Sequence, residues 1–142
     1  MEYKFYHNKE LNINAIDTKF NVKNPYDLYE KLLKCFSKET CAPRLRDLWS
    51  LDNKTKGQCS ITAFLAQDIF AGDVYGILLS DGNYHCFNKV GSFVFDLTSE
   101  QFLGKKIDYN NAIIQKREDH FKKEEKYNRY LLLKNSLLKL NN

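Results

Sequence analysis

The chain has 142 residues, of which 43% are hydrophobic and 14% aromatic, a composition that supports one domain with a packed core and excludes a disordered chain. Its formal net charge of +4 comes from 22 basic and 18 acidic residues that are largely interspersed, so nucleic-acid binding is not expected. No apolar run is long enough for a signal peptide or a membrane span, and we expect a cytoplasmic protein whose four cysteines are free thiols.

Residues 1–24 form an N-terminal extension that is difficult to assign from its pattern. Its alternating aromatic and polar residues are consistent with an edge strand followed by a loop. Asn24 and Pro25 then supply the N-cap and the first-turn proline of a helix, which we expect to end near Ser37. We take residues 25–142 as a single α+β domain.

The helical pattern is interrupted at Cys41-Ala42-Pro43-Arg44, after which Leu45, Leu48 and Trp49 predict one helical turn on the core. Arg44 has two interpretations. Its guanidinium binds an acidic group of a substrate, or it holds the loop by hydrogen bonds to backbone carbonyls, which is the favoured interpretation. Trp49 is a weak candidate for substrate contact.

The segment Gly57-Gln58-Cys59 lies where a polar loop becomes an apolar helix. Apolar residues from 58 to 70 cover almost every direction of that helix, which predicts that it is central and buried. Cys59 falls in the first turn, where unpaired N–H groups and the helix dipole stabilise a thiolate. The backbone N–H of Cys59 is a candidate oxyanion donor, and the side chain of Gln58 is a weaker one.

After this helix the apolar period changes from 3.6 to 2, which predicts an antiparallel meander with strands near 74–80, 84–89 and 93–97. Thr98-Ser99-Glu100-Gln101 matches a capping box and predicts a short helix directly after the meander. Apolar residues between 121 and 140 recur with a helical period, so we expect a long amphipathic helix at the end of the chain.

His85 and Asp96 fall on the second and third predicted strands. A two-residue turn places them on the same face of the sheet, directly opposite if the turn is 90–91 and diagonal if it is 91–92. A three-residue turn would place them on opposite faces. In that case Asn88 or Asp73 would have to orient the histidine.

Cys59, His85 and Asp96 supply a nucleophile, a base and an orienting carboxylate in one domain. A thiol with a pKa of about 8.5 is mostly protonated at neutral pH, and a pKa lowered by about two units makes the thiolate dominant. Each residue also has a structural interpretation, because cysteines in apolar segments and histidines on strands are commonly core residues.

The histidine and the cysteines suggest a zinc site as an alternative, formed by Cys59, His85, Cys86 and either Cys41 or Cys35. It is disfavoured because the chain has no Cys-x-x-Cys pair and because adjacent residues of a strand point to opposite faces. We therefore predict a site that uses neither a metal nor a cofactor.

Four motifs occur in order along the chain: Thr40-Cys41-Ala42-Pro43-Arg44-Leu45, Gly57-Gln58-Cys59 with 63–68, His85 with Asn88, and 95–102. Together they resemble the bacterial YunG-like proteins over about residues 26–138. The Gly57-Gln58-Cys59 segment is also similar to the nucleophile motif of transglutaminases, which belong with papain-like and NlpC/P60 enzymes to a broad Cys-His-Asp class.

These observations predict an α+β fold with a papain-like or transglutaminase-like core, in which a central helix carries Cys59 at its N-terminus and packs on an antiparallel meander with flanking helices. The expected function is a thiol-dependent hydrolase or acyltransferase that acts on an amide or ester of a small molecule or peptide, with Cys59, His85 and Asp96 as catalytic residues and Gln58 and Asn88 as accessory ones. The alternative is a non-catalytic binding domain that retains the fold.

Overall fold

The computed structural model describes residues 5–140, which form a five-stranded antiparallel sheet with helices packed against it. The strands are β1 (Tyr6–His7), β2 (Asp73–Leu78), β3 (Tyr84–Val90), β4 (Phe93–Asp96) and β5 (Ile113–Gln115). The α-helices are α1 (Pro25–Leu32), α2 (Cys59–Phe70), α3 (Arg117–Phe121) and α4 (Glu124–Leu140), and 3-10 helices span Thr18–Phe20, Pro43–Leu48 and Ser99–Phe102. The spatial strand order is β1-β4-β3-β2-β5.

Helix α2 is the centre of the molecule, because it contacts β3 on one side and α4 on the other. Its apolar residues point in all directions, as the sequence predicted, and Phe64, Leu65 and Ile69 are fully buried. Burial of each such side chain contributes about 2 kcal/mol to folding. The predicted α+β architecture, with a buried central helix on an antiparallel meander, is what the structure has.

Helix α1 begins as predicted and ends earlier than predicted. The side chain of Asn24 accepts a hydrogen bond from the Asp27 N–H at 2.9 Å, and Pro25 occupies the first turn. The helix stops at Leu32 instead of continuing to Ser37. Ser37 and Thr40 make reciprocal side chain to backbone hydrogen bonds that fold the following segment into a turn, which competes with the helical pattern.

The long helix predicted from about 121 to 140 is present as α4, and it is preceded by the short helix α3, which the sequence did not predict. Helix α3 ends at Phe121, and α4 begins after Lys122 and Lys123. The stripe Tyr130, Leu133 and Leu137 is buried in the core, as predicted. The break between the helices allows His120 and Phe121 of α3 to lie against α2, while the stripe on α4 packs separately.

Two edge strands complete the sheet. The pattern of the N-terminal segment indicated an edge strand, and β1 pairs with β4 at that edge, although the first four residues lie outside the described part of the chain. The sequence did not predict β5, which has three residues and exposes Ile113 and Ile114. Within residues 5–140, no helix combines the length and the apolar character needed to cross a bilayer.

The turn between β3 and β4 decides the register of the candidate site. Asn88 pairs with Phe95 and Val90 pairs with Phe93, so the turn consists of Gly91 and Ser92. This is the diagonal arrangement among the alternatives, and it places His85 and Asp96 on the same face of the sheet.

Candidate active site

Cys59 is the first residue of α2 and lies partly exposed in a cleft of about 760 Å³. The preceding Gly57 has a φ of +73°, and a Cβ atom there would overlap the sulfur of Cys41. Only glycine therefore allows the loop around Cys41 to pack this closely against the start of α2. The Ala42 N–H donates to the Gly57 carbonyl at 2.9 Å and holds the two segments together.

The sulfur of Cys59 lies at an open edge of β3. The pairing of β4 with β3 ends at the Asn88–Phe95 pair, so the earlier residues of β3 extend past the end of their neighbour. The Cys59 Sγ lies 3.9 Å from the Tyr84 carbonyl oxygen, and the backbone N–H of Cys86 is close enough to help lower the pKa of the Cys59 thiol. A position at the edge gives the sulfur access to side chains from both faces of the strand.

His85 and Asp96 form a buried pair beside this sulfur. The Nε2 of His85 lies 2.6 Å from the Oδ2 of Asp96, and neither side chain is exposed by more than 1%. Because Asp96 occupies Nε2, Nδ1 is the ring nitrogen left for the thiol of Cys59, with which His85 interacts. The ring of Phe102 packs edge-on against the imidazole, with 4.7 Å between the ring centres.

The carboxylate of Asp96 accepts hydrogen bonds on both oxygens. Tyr109 donates its hydroxyl to Oδ2 at 2.7 Å, while the N–H and hydroxyl of Thr98 donate to Oδ1 at 3.1 and 3.3 Å. Thr98 therefore binds Asp96, and it does not form the capping box that the sequence predicted. Burial and the charge of Asp96 raise the pKa of Tyr109, so its hydroxyl remains a donor at neutral pH.

The pKa values of His85 and Cys59 shift in the directions that favour an ion pair. Burial alone lowers the pKa of His85, but the charge of Asp96, the hydrogen bond to it and the interaction with Cys59 raise that pKa to about 10. Hydrogen bonds from the Cys86 thiol, from His85 and from the Cys86 N–H lower the pKa of Cys59 well below its usual value, against the opposing effect of burial. Both shifts favour a thiolate on Cys59 and an imidazolium at His85 over the neutral pair.

Cys86 contributes to the site as a protonated thiol. It is buried on the face of β3 that meets α2. Its hydrogen bond to Cys59, together with burial and the negative charge of Cys59, raises the pKa of Cys86. Its S–H thus donates to the thiolate. All four cysteines are free, and among residues 5–140 no three His, Cys, Asp or Glu side chains are grouped closely enough to hold a metal ion.

The structure places the two predicted accessory residues in structural contacts. The Nε2 of Gln58 donates to the Ser37 carbonyl at 3.1 Å beneath the loop, and Gln58 is fully buried. The Nδ2 of Asn88 donates to the Ala63 carbonyl at 2.8 Å and ties β3 to α2. Both amides thereby fix the scaffold that carries Cys59 and His85.

Arg44 and Trp49 also have partners that differ from the favoured interpretations. Arg44 lines the cleft and pairs with Asp81 at 3.3 Å, while the loop carbonyls of Lys38 and Glu39 are held by Arg46. The expected role of Arg44 in the loop therefore belongs to Arg46. The indole of Trp49 donates to the Lys54 carbonyl at 2.8 Å and packs against the core.

Three residues that line the C-terminal part of the cleft were not identified as site residues from the sequence pattern. They are Gln115 at the end of β5, His120 in α3 and Lys126 in α4. The Nζ of Lys126 lies 2.9 Å from the Nδ1 of His120, whose Nε2 lies 2.8 Å from the Oε1 of Gln115. Their spacing follows no motif, and the only signal was that His120 is one of three histidines.

Comparison with known proteins identifies the family. The family model described as YunG protein matches residues 24–141. The curated relative named "Uncharacterized protein YunG", from Bacillus subtilis (strain 168), is 32% identical over 97 residues, which cover 67% of this chain and 82% of the relative. No solved structure matches the chain significantly. The chain therefore belongs to the YunG family.

Proposed function

We propose that this YunG-family chain is a thiol-dependent hydrolase or acyltransferase that acts on an amide or ester. The observation that carries the proposal is the buried Asp96–His85 pair, whose remaining ring nitrogen is available to Cys59 at the head of the cleft. In this proposal Cys59 is the nucleophile, His85 transfers protons and Asp96 fixes the orientation of the imidazole.

The first half of the reaction forms a thioester. The thiolate of Cys59 attacks the acyl carbon, and the carbonyl electrons move onto oxygen to give a tetrahedral oxyanion. As the oxyanion collapses, the bond to the amine or alcohol breaks and the leaving group takes the proton from the His85 imidazolium. The products are an acylated Cys59, the free amine or alcohol and a neutral imidazole.

The second half regenerates the thiolate of Cys59 and the imidazolium of His85. Water or an amine gives a proton to the imidazole of His85 as it attacks the thioester, and the C–S bond of Cys59 breaks. Water yields a carboxylic acid and an amine yields a new amide, which distinguishes hydrolysis from transfer. Asp96 stays ionised throughout and stabilises the imidazolium each time it forms.

The backbone of α2 supplies the stabilisation of the oxyanion in this proposal. Gln58 precedes the helix without a side-chain capping bond, and the first N–H groups of any helix lack intrahelical partners. The N–H of Cys59 is thus a donor next to the position where negative charge develops, and the helix dipole adds partial positive charge.

The arrangement supports membership in the papain-like and transglutaminase-like class. A cysteine opens a central helix, and a histidine and a carboxylate lie on two adjacent antiparallel strands. We include that core in the proposal, because the chemistry depends on this placement of three side chains and not on further elements of any one fold.

An acyl-transfer assay with p-nitrophenyl acetate tests the proposal. We expect the wild type to release p-nitrophenolate with an acetyl group appearing on the peptide that contains Cys59, as read by mass spectrometry. Cys59→Ser should not become acetylated there, and His85→Ala should react about 100-fold more slowly. Cys35→Ser is the matched control, because it removes another partly exposed thiol outside the cleft.

Two results would overturn the proposal. One is acetylation of Cys59 at equal rates in the wild type and in His85→Ala, which would mean that the histidine does not activate the sulfur. The other is the absence of acetyl transfer to Cys59 in folded wild-type protein. Either would favour a non-catalytic binding domain that retains the fold.

A further inference from the structure

The cleft contains a hydrogen-bonded chain of three side chains beside the nucleophile. The ammonium of Lys126 donates to the Nδ1 of His120, and the Nε2–H of His120 donates to the Oε1 of Gln115. All three residues line the same cleft as Cys59. Gln115 lies on β5, which pairs with β2. These hydrogen bonds therefore anchor the end of the long Lys126 side chain to the sheet.

His120 acts as a neutral acceptor in this chain. Burial and the adjacent charge of Lys126 lower the pKa of His120 to about 4. Its ring is held edge-on against Phe64, with 5.1 Å between the ring centres. A neutral ring with its proton on Nε2 leaves the Nδ1 lone pair for one N–H of Lys126, and the other two N–H groups remain for another partner.

The charges that line the cleft leave Lys126 without a carboxylate partner. The three acidic residues of the lining are already paired, Asp81 with Arg44 at 3.3 Å, Asp119 with Lys122 at 3.8 Å and Glu125 with Arg129. Within residues 5–140, Lys126 makes no such ion pair, although it is partly buried. A partly buried ammonium gains stability from an anion that enters the cleft.

We propose that Lys126 is a specificity-determining residue that binds a carboxylate of the acyl donor, close to the carbonyl that Cys59 attacks. The inference rests on the proposed function and names its substrate class, an anionic acyl compound. A carboxylate fits better than a phosphate, because the guanidinium groups that suit phosphate are occupied in Arg44 and Arg129. A single anchored ammonium provides a point charge for a small anion.

Alkylation of Cys59 with two reagents of the same size tests this inference without knowledge of the substrate. Iodoacetate carries a carboxylate next to the reacting carbon and iodoacetamide is neutral. We expect the ratio of the iodoacetate rate to the iodoacetamide rate at Cys59, read by peptide mass spectrometry at neutral pH, to fall about fivefold in Lys126→Met. Lys126→Arg keeps the charge and should retain most of the ratio.

The control is Lys123→Met, which removes an exposed lysine from the lining of the same cleft and should leave the ratio unchanged. Methionine preserves the apolar stem of Lys126, and Lys126→Gln provides a second neutral variant. An unchanged ratio in folded Lys126→Met or Lys126→Gln overturns the inference. Slow reaction of wild-type Cys59 with both reagents overturns the proposed function instead, so the two failures are distinguishable.

Discussion

The two histidines of the cleft differ in charge although the same physical effect acts on both. Burial lowers the pKa of each ring. His85 contacts the carboxylate of Asp96 and has a pKa raised to about 10, while His120 contacts the ammonium of Lys126 and has a pKa lowered to about 4. Burial and the ammonium of Lys126 both favour a neutral His120, whereas the carboxylate of Asp96 overcomes the effect of burial on His85 and favours its charged form.

The difference in charge suits the two histidines to different roles in the same cleft. A protonated His85 next to a thiolate is suited to moving a proton during acyl transfer. A neutral His120 holds the head of Lys126 without competing for that proton. Substitutions of the two histidines' neighbours, and of His120 itself, test this difference in charge, and they follow in order of decreasing expected effect.

Asp96→Asn should have the largest effect, because it leaves only the interaction with Cys59 to oppose the burial of His85, and the pKa of His85 then falls. The imidazolium that stabilises the thiolate of Cys59 is then lost. We expect acetylation of Cys59 to slow by up to about 100-fold, as in His85→Ala, because Asp96 acts through His85. We also expect urea unfolding to show a loss of about 3 kcal/mol, because a buried hydrogen-bonded ion pair is broken. Wild-type acetylation rates in this variant would contradict the account.

The acid dependence of stability should reveal His120. In the unfolded chain a histidine binds a proton below about pH 6.5, whereas folded His120 does so only below about pH 4. The unfolded state binds more protons between these values, so wild-type stability should rise by about 2 kcal/mol as the pH increases from 4 to 6.5. In His120→Gln this rise should be smaller by that amount, as measured by urea unfolding at a series of pH values. An identical slope in both proteins would show that His120 titrates normally.

Lys126→Met should reduce the difference between the pKa values of His120 and His85. Removing the ammonium leaves burial as the main cause of the low pKa of His120, and we expect that pKa to rise by about one unit, or tenfold in the proton-binding constant. Titration of the ring by NMR measures it. The pKa of His85 should remain high, since Asp96 is retained. Lys123→Met should raise the pKa of His120 by less than Lys126→Met does, because the charge of Lys123 is a smaller cause of the low pKa than that of Lys126.

Tyr109→Phe should have the smallest effect. The substitution removes one donor from Asp96 but leaves the donors from His85 and Thr98. We expect a loss of about 1 kcal/mol in stability and an acetylation rate within about threefold of the wild type. Tyr6→Phe is the matched control, because the Tyr6 ring stacks on Tyr109 with 4.1 Å between the centres. A loss as large as that of Asp96→Asn would mean that Tyr109 takes part in the chemistry.

The sequence predicted those features that depend on local pattern. The apolar residues of α2 and the change of period after Gly72 are such local features. The length of the turn before β4 was left open between two and three residues, and the structure has the two-residue turn that brings His85 and Asp96 together beside Cys59. The end of α1 at Leu32 was missed because the local hydrogen bonds between Ser37 and Thr40 compete with the helical pattern, and the short helix α3 was not predicted. The sequence placed Gln58 in the site by adjacency alone, but a residue next to a nucleophile can point into the scaffold.

The part of the cleft formed by residues after β4 could not be predicted, because it depends on contacts between segments that are distant in the sequence. Tyr109 reaches Asp96 from a loop after the meander, and β5, α3 and α4 bring Gln115, His120 and Lys126 to the cleft. Lysines in a mixed charged run are usually solvated, so nothing in the local pattern distinguishes Lys126 from Lys122 or Lys123.

The central claim is that His85 keeps Cys59 ionised, and the pH dependence of Cys59 alkylation by iodoacetamide tests it most directly. The account predicts a pKa for wild-type Cys59 well below the value of about 8.5 for a free thiol, and a clear increase in His85→Ala. A wild-type pKa at or above about 8.5 that does not change in His85→Ala would contradict it.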